Sequence, residues 1–159
     1  MAATPQTDTA RPWYASLPEP KAECGALDNV EVMKMLEATT SGDQKAARKY
    51  LLVDVRRNDW EGGTIATSIN LPAQSLYQTR PIIYQLCQQA GIEQVLFYCG
   101  SSTGRGTRCA RWMQDYINEV GDTKMKAAIV RGGIKGWQKS FGAKMIEGYE
   151  ERVWKDKAQ

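Results

Sequence analysis

Gln94-Val-Leu-Phe-Tyr-Cys99-Gly-Ser-Ser-Thr-Gly-Arg105 is the stretch on which the reading of this chain turns. Its first half is a short apolar run, bounded by polar residues and rich in β-formers, which predicts a buried strand. Its second half is a loop of small glycines and hydroxyls closed by an arginine. The residues beyond it predict a helix from about Thr107 to Val120, with Trp112, Met113 and Tyr116 among its packing residues. A loop between a strand end and a helix N-terminus can aim several backbone N–H groups at one point, and the helix dipole adds to their preference for an anion. Ser101, Ser102 and Thr103 offer further donors, Gly100 and Gly104 let the backbone approach closely, and Arg105 can clamp two oxygens of a tetrahedral anion. The same field favours thiolate over thiol at Cys99, so the loop would both bind an oxyanion and activate a nucleophile beside it.

Working outward, strands alternate with helices. Tyr50 to Val55 reads as a buried strand, and Thr64 to Leu71 as a second short extended piece ending at Pro72. Thr79-Arg80-Pro81 opens a helix whose apolar face is Ile82, Ile83, Leu86, Cys87 and Ala90, stopped by Gly91. Met125 to Val130 is another strand, and Arg131-Gly132-Gly133 turns into a short helix at Ile134 to Lys139. Earlier, Asp28 caps a helix carrying Val30, Met33 and Leu36, which Ser41-Gly42-Asp43 ends. The alternation predicts an α/β domain with a largely parallel sheet. Residues 1–22 hold four of the six prolines and read as an extended or disordered arm that Trp13, Tyr14 and Leu17 could dock. The domain proper is expected over 23–145, with 146–159 an amphipathic tail packing on it.

Composition narrows the chemistry. The chain has 159 residues and no histidine, which excludes a Ser-His-Asp triad, a Cys-His pair and His-ligated zinc. A net charge of +3 with scattered basic residues gives no nucleic-acid signature. No stretch is apolar enough for a membrane helix, and Met1 to Thr9 lack a basic start before an apolar run, so no signal peptide is expected. Four cysteines, at 24, 87, 99 and 109, show no paired metal spacing. Free thiols in the cytoplasm, or the nucleus, are the expectation. Cys24 and Cys87 read as bystanders, and Cys109 as a packing residue that three helical turns would hold away from Cys99. A nucleotide-binding loop fails on spacing: Gly100 and Gly104 stand one residue too close, Arg105 replaces the lysine, and Cys109 sits where a dinucleotide motif needs its third glycine.

Cys99-Gly-Ser-Ser-Thr-Gly-Arg105 resembles the C-x5-R loop of the rhodanese-fold phosphatases, the cell-division-cycle dual-specificity phosphatases and the eukaryotic arsenate reductases. Asp54-Val-Arg56, Trp60-Glu-Gly-Gly-Thr-Ile65, Ser68-Ile-Asn-Leu-Pro72 and Arg131-Gly-Gly-Ile-Lys-Gly-Trp137 agree in order, so the resemblance spans roughly residues 28 to 141. It implies a three-layer α/β domain, a mostly parallel five-stranded sheet with helices on both faces. It implies Cys99 as nucleophile and Gly100, Ser101, Ser102, Thr103, Gly104 and Arg105 as the oxyanion cradle, with no metal and no bound cofactor. Sulfurtransferases of the family typically hold four residues in this loop, so five place the chain on the phosphate and arsenate side.

Three departures stand out: Tyr98 where the family usually has a histidine before the nucleophile, and Gly104 and Val55 where the cell-division-cycle phosphatases carry a loop glutamate and a second cysteine. A phosphatase gains from an acid that protonates the leaving oxygen; Asp54, Asp59 and Glu61 are candidates, with Asp54 read first as structural support. Arsenate reduction asks less of an acid, so it leads, with glutathione or glutaredoxin as external reductant and a small oxyanion or phosphorylated molecule as substrate. Sulfur transfer from thiosulfate or a persulfide, and an idle phosphate-binding module, stay open, as does a dimer.

Overall fold

The computed structural model describes residues 11–40 and 47–157. The predicted end of the first helix at Ser41-Gly42-Asp43 and the first ten residues of the arm lie outside them. Five parallel strands build the main sheet in the order β1-β6-β5-β2-β4. They are β1 (Gly25–Leu27), β2 (Tyr50–Asp54), β4 (Ile69–Asn70), β5 (Gln94–Tyr98) and β6 (Lys126–Val130). A two-stranded antiparallel ribbon joins β3 (Thr64–Ile65) to β7 (Ile146–Glu147). Helices α2 (Ala73–Gln89) and α3 (Arg105–Glu119) cover one face, and α1 (Asn29–Thr40), α4 (Gly133–Phe141) and α5 (Glu151–Lys157) the other.

Strand periodicity of two explains how the faces divide. Along β5, Val95, Phe97 and Cys99 enter the core beneath α2 and α3, while Leu96 and Tyr98 enter the opposite one. Along β2, Val53 and Val55 follow the first set, Tyr50 and Leu52 the second. The alternation therefore delivers Cys99 to the same side as the first turn of α3.

Four expectations are corrected. Helix α2 begins at Ala73, two turns before the predicted start, and Pro81 lies inside it. Proline there offers no N–H to the Tyr77 carbonyl, and the Arg80 Nε donates to that oxygen at 2.9 Å instead. With the start moved, Ile82 and Leu86 face outward and only Ile83 and Cys87 of the predicted stripe are core. Thr64 to Leu71 is not one extended piece: Thr67, at φ 69°, turns the chain, so that β3 joins the ribbon and β4 the main sheet. On α1 the buried residues are Val32, Met33 and Leu36, and Val30 is exposed. Asp28 leaves its carboxylate to Arg131 at 2.6 Å, and the Glu31 carboxylate reaches back to the Asp28 N–H. Finally, α3 starts at Arg105 itself, so Cys109 is little more than one turn into it, fully buried in the core cluster that holds Cys99.

Residues 11–22 lie along α3. The Trp112 indole donates to the Pro18 carbonyl, Arg111 to the carbonyls of Pro20 and Ala22, and Asp115 accepts the N–H groups of Lys21 and Ala22. Trp13 meets Trp112 edge to face at 5.9 Å. No helix among the described residues is long and apolar enough to cross a membrane.

Candidate active site

The sheet ends at Tyr98, and the chain curls round the Cys99 sulfur before α3 begins. The Sγ of Cys99 accepts the N–H of Ser102 at 3.2 Å and that of Gly106, in the first turn of α3, at 3.4 Å. No side chain caps this helix, whose N-cap is Gly104, so its leading N–H groups are left for the loop and whatever the loop holds. Ser102 makes the curl by adopting φ 61°, a left-handed conformation that costs a non-glycine residue energy and tends to persist where function needs it. Thr107 pins the turn by donating to the Ser102 carbonyl at 2.6 Å. The Ser102 hydroxyl is buried without a partner among the described residues, a donor in reserve beside Gly106. Ser101 and Thr103 share one hydrogen bond at 2.8 Å on the exposed rim.

From below, α4 grips the same loop. The N–H groups of Ile134 and Lys135 donate to the carbonyls of Cys99 and Gly100 at 3.1 and 3.0 Å. This close approach requires Gly133: at φ 60°, a Cβ on it would lie 2.5 Å from the Cys99 oxygen and 2.6 Å from that of Gly100. The Arg-Gly-Gly turn singled out in the sequence is thus the seat of the cysteine loop.

Tyr98 does not face the sulfur. Its hydroxyl exchanges hydrogen bonds with Thr64 and Ser68 at 2.7 Å and accepts the N–H of Ile65 at 3.1 Å. Burial, with the Asp54 charge, pushes the phenol well above its ordinary range. Where the family resemblance expects an imidazole, this chain has a neutral strut between β5 and the β3 turn.

The three acid candidates part company. Asp54 and Arg56 form a buried ion pair, with Arg56 Nη2 at 2.7 Å from Asp54 Oδ2 and side chains 0% and 1% exposed. Asp54 also accepts from Thr64, and Arg56 donates onward to the carbonyls of Glu61 and Gly63 at 3.1 and 2.7 Å. This network pins the loop between β2 and β3, giving Asp54 a support role. Glu61 points toward Lys157, 3.7 Å away. Asp59, at the tip of the pinned loop, meets Arg105 two-pronged: Nη1 to Oδ1 at 2.8 Å and Nη2 to Oδ2 at 2.6 Å. Those bonds, from the same guanidinium that closes the cysteine loop, hold the Asp59 carboxyl far below the usual carboxylate range.

The sequence brought Cys99, the cradle and Arg105 into one candidate site, and the fold assembles them; it left Asp59 as one of three carboxylates, because a contact across 46 residues has no local signature. The other thiols lie in different surroundings. Burial pushes Cys87 up to about 11. Burial and the neighbouring Cys99 push Cys109 further still, and burial also raises Cys24. Among the described residues no three His, Cys, Asp or Glu side chains converge as a metal site.

Comparison with known proteins bears on the family and the fold. The rhodanese-like domain matches residues 36–140. A yeast protein tyrosine phosphatase of the rhodanese family superposes with a TM-score of 0.69 at 23% identity, covering 84% of this chain and 99% of that one. In another structure of that Saccharomyces cerevisiae protein, described as a homolog of single-domain rhodanese, the identity is 25% and the TM-score 0.65, over 82% and 91% of the two chains. The As-Sb reductase of Leishmania major gives 0.69 at 18% identity, over 86% of this chain and 100% of that one. No curated protein matches the sequence.

Proposed function

The chain belongs to the rhodanese-like domain family, and from that premise we propose that it is a cysteine-dependent oxyanion enzyme that reduces arsenate to arsenite with external thiols. The observation that carries this reading is the Cys99 sulfur held by two backbone N–H groups inside a five-residue loop that Arg105 closes. Four residues would make a smaller cradle; five leave room for a tetrahedral anion whose oxygens take the remaining loop N–H groups and the arginine fork. The likeness to an As-Sb reductase supports the reading at the level of the fold.

In this mechanism the Cys99 thiolate attacks arsenic and displaces one oxygen, which leaves as water once protonated. A glutathione or glutaredoxin thiol then takes the arsenic from Cys99, and a second thiol closes a disulfide on the first. Arsenic gains two electrons, two thiols become one disulfide, and Cys99 returns as thiolate. The chain has no histidine, and the groups that face the Cys99 sulfur are the N–H groups of Ser102 and Gly106 at the start of α3, so those contacts are what would support the nucleophile.

A second reading is a phosphatase using the same nucleophile on a phosphate ester. The placement of Asp59 beside Arg105 favours it, because a carboxyl next to the oxyanion site is what ester cleavage lacks when the loop itself holds glycine at 104. The test is turnover of arsenate with glutathione and of an aryl phosphate, by wild type and Arg105→Lys. A lysine keeps the charge but not the fork, so activity should fall roughly 100-fold or more on either substrate. Unchanged activity in Arg105→Lys contradicts the proposal.

A further inference from the structure

The Asp59–Arg105 contact presents a puzzle of occupancy. Arg105 is the only side chain of the cradle loop that can clamp an oxyanion with a fork, yet both prongs are engaged by Asp59, at 2.8 and 2.6 Å. An arriving tetrahedral anion must take those prongs, and Asp59 must yield them. It cannot go far. Arg56, itself buried, ties the loop behind it through Glu61 and Gly63, and the Arg57 N–H donates to Asp59 Oδ1 at 3.2 Å. The displaced carboxyl is therefore left about one guanidinium width from the bound oxyanion.

We propose that Asp59 is the acid–base residue of the site, released from Arg105 by the substrate oxyanion and then facing its leaving oxygen. This rests on the oxyanion-enzyme reading above and deepens it. Its neighbours set the electrostatics. Arg105 reaches it from α3, Glu61 sits on its own loop, and Lys135 and Lys139 of α4 and Lys157 of α5 line the same cleft of about 560 Å³. The hydrogen bonds from Arg105 are the main cause that holds this carboxyl low, so their loss together with the charge of a bound dianion favours its protonated form against the pull of the three lysines. As the Cys99 sulfur bonds to phosphorus or arsenic, the bond to the leaving oxygen breaks and Asp59 passes its proton to that oxygen. In ester hydrolysis the carboxylate then takes a proton from water, whose oxygen attacks phosphorus; the S–P bond breaks and phosphate and thiolate are released. The other carboxylates are otherwise occupied: Asp54 is consumed by Arg56, and Glu61 faces Lys157.

The experiment compares wild type, Asp59→Asn and Asp59→Glu on phenyl phosphate, whose leaving group needs a proton, and on 4-nitrophenyl phosphate, whose leaving group does not. In Asp59→Asn, kcat on phenyl phosphate should fall ~100-fold or more, and on 4-nitrophenyl phosphate by less than about tenfold. The descending alkaline limb of kcat should vanish, inorganic phosphate should inhibit at least as well as in wild type, and Asp59→Glu should recover part of the loss. If arsenate is the only substrate turned over, the same role is read as an alkaline limb in wild-type arsenate reduction that Asp59→Asn lacks. Equal losses on both esters, or tighter phosphate binding with unchanged kcat, overturn the role of Asp59 and leave the enzyme reading standing. Wild-type protein inactive on arsenate and on both esters overturns the enzyme reading, and this role with it.

Discussion

Two aspartate–arginine pairs have aspartates five residues apart, Asp54 at the end of β2 and Asp59 on the loop beyond it, and their chemistry is the same while their surroundings are not. Asp54–Arg56 is sealed, at 0% and 1% side-chain exposure, whereas Asp59–Arg105 is open, at 48% and 26%. In the sealed pair both carboxylate oxygens and all three guanidinium nitrogens have fixed partners, so it can only hold shape. In the open pair water or a substrate anion can replace either member, so it can exchange partners. Burial, rather than charge, divides structure from function here: one pair builds the loop and the other presents itself to the site.

Breaking the sealed pair should have the largest effect on stability. Asp54→Ala leaves a buried guanidinium without its counter-ion and should cost ~3–5 kcal/mol in chemical denaturation. A cost under about 1 kcal/mol would show that the two pairs do not differ as described. Gly133→Ala tests the seat on which the loop rests, since its Cβ has no room against the Cys99 and Gly100 carbonyls. It should destabilise by roughly 1–3 kcal/mol and also lower turnover, whereas a purely structural seat would spare activity in the molecules that remain folded. Breaking the open pair should barely register in the melt. Asp59→Ala is expected to shift stability by no more than about 1 kcal/mol, as for other exposed ion pairs, and salt should shrink the shift further.

The smallest effect is in the acid limb of stability. The Asp59 carboxyl is depressed in the folded state, so its contribution is present above the ordinary carboxylate range and is lost as pH falls through and below that range. Wild type should therefore lose slightly more stability on acidification than Asp59→Asn. Identical acid profiles would mean that the pair contributes nothing to the fold.

How much of this was legible in the sequence follows the same division between local and distant. The β5–loop–α3 unit is local: period-two burial, glycine spacing and an arginine at a fixed offset are all written in adjacent residues. The family resemblance added the sheet and its two helical layers, which the fold has. Proline 81 misled the start of α2 because the compensating donor, Arg80, acts through its side chain rather than through backbone propensity. The ribbon of β3 with β7 joins segments some eighty residues apart, and two-residue strands carry too little periodicity to announce themselves. Cys109 is not three helical turns from Cys99 because the residues between Cys99 and Arg105 are loop rather than helix, and that loop curls back so that Gly106 of the first turn of α3 reaches the Cys99 sulfur.

The central claim is that Cys99 is the nucleophile of an oxyanion enzyme, and one side-by-side assay tests it most directly. Arsenate with glutathione, an aryl phosphate and thiosulfate are each offered to wild type and to Cys99→Ser, with folding of the variant checked by circular dichroism. Wild type should turn over arsenate or the ester, and folded Cys99→Ser should turn over neither. Full activity in Cys99→Ser, or a wild-type protein whose only reaction is a stable gain of one sulfur on Cys99 from thiosulfate, would contradict it.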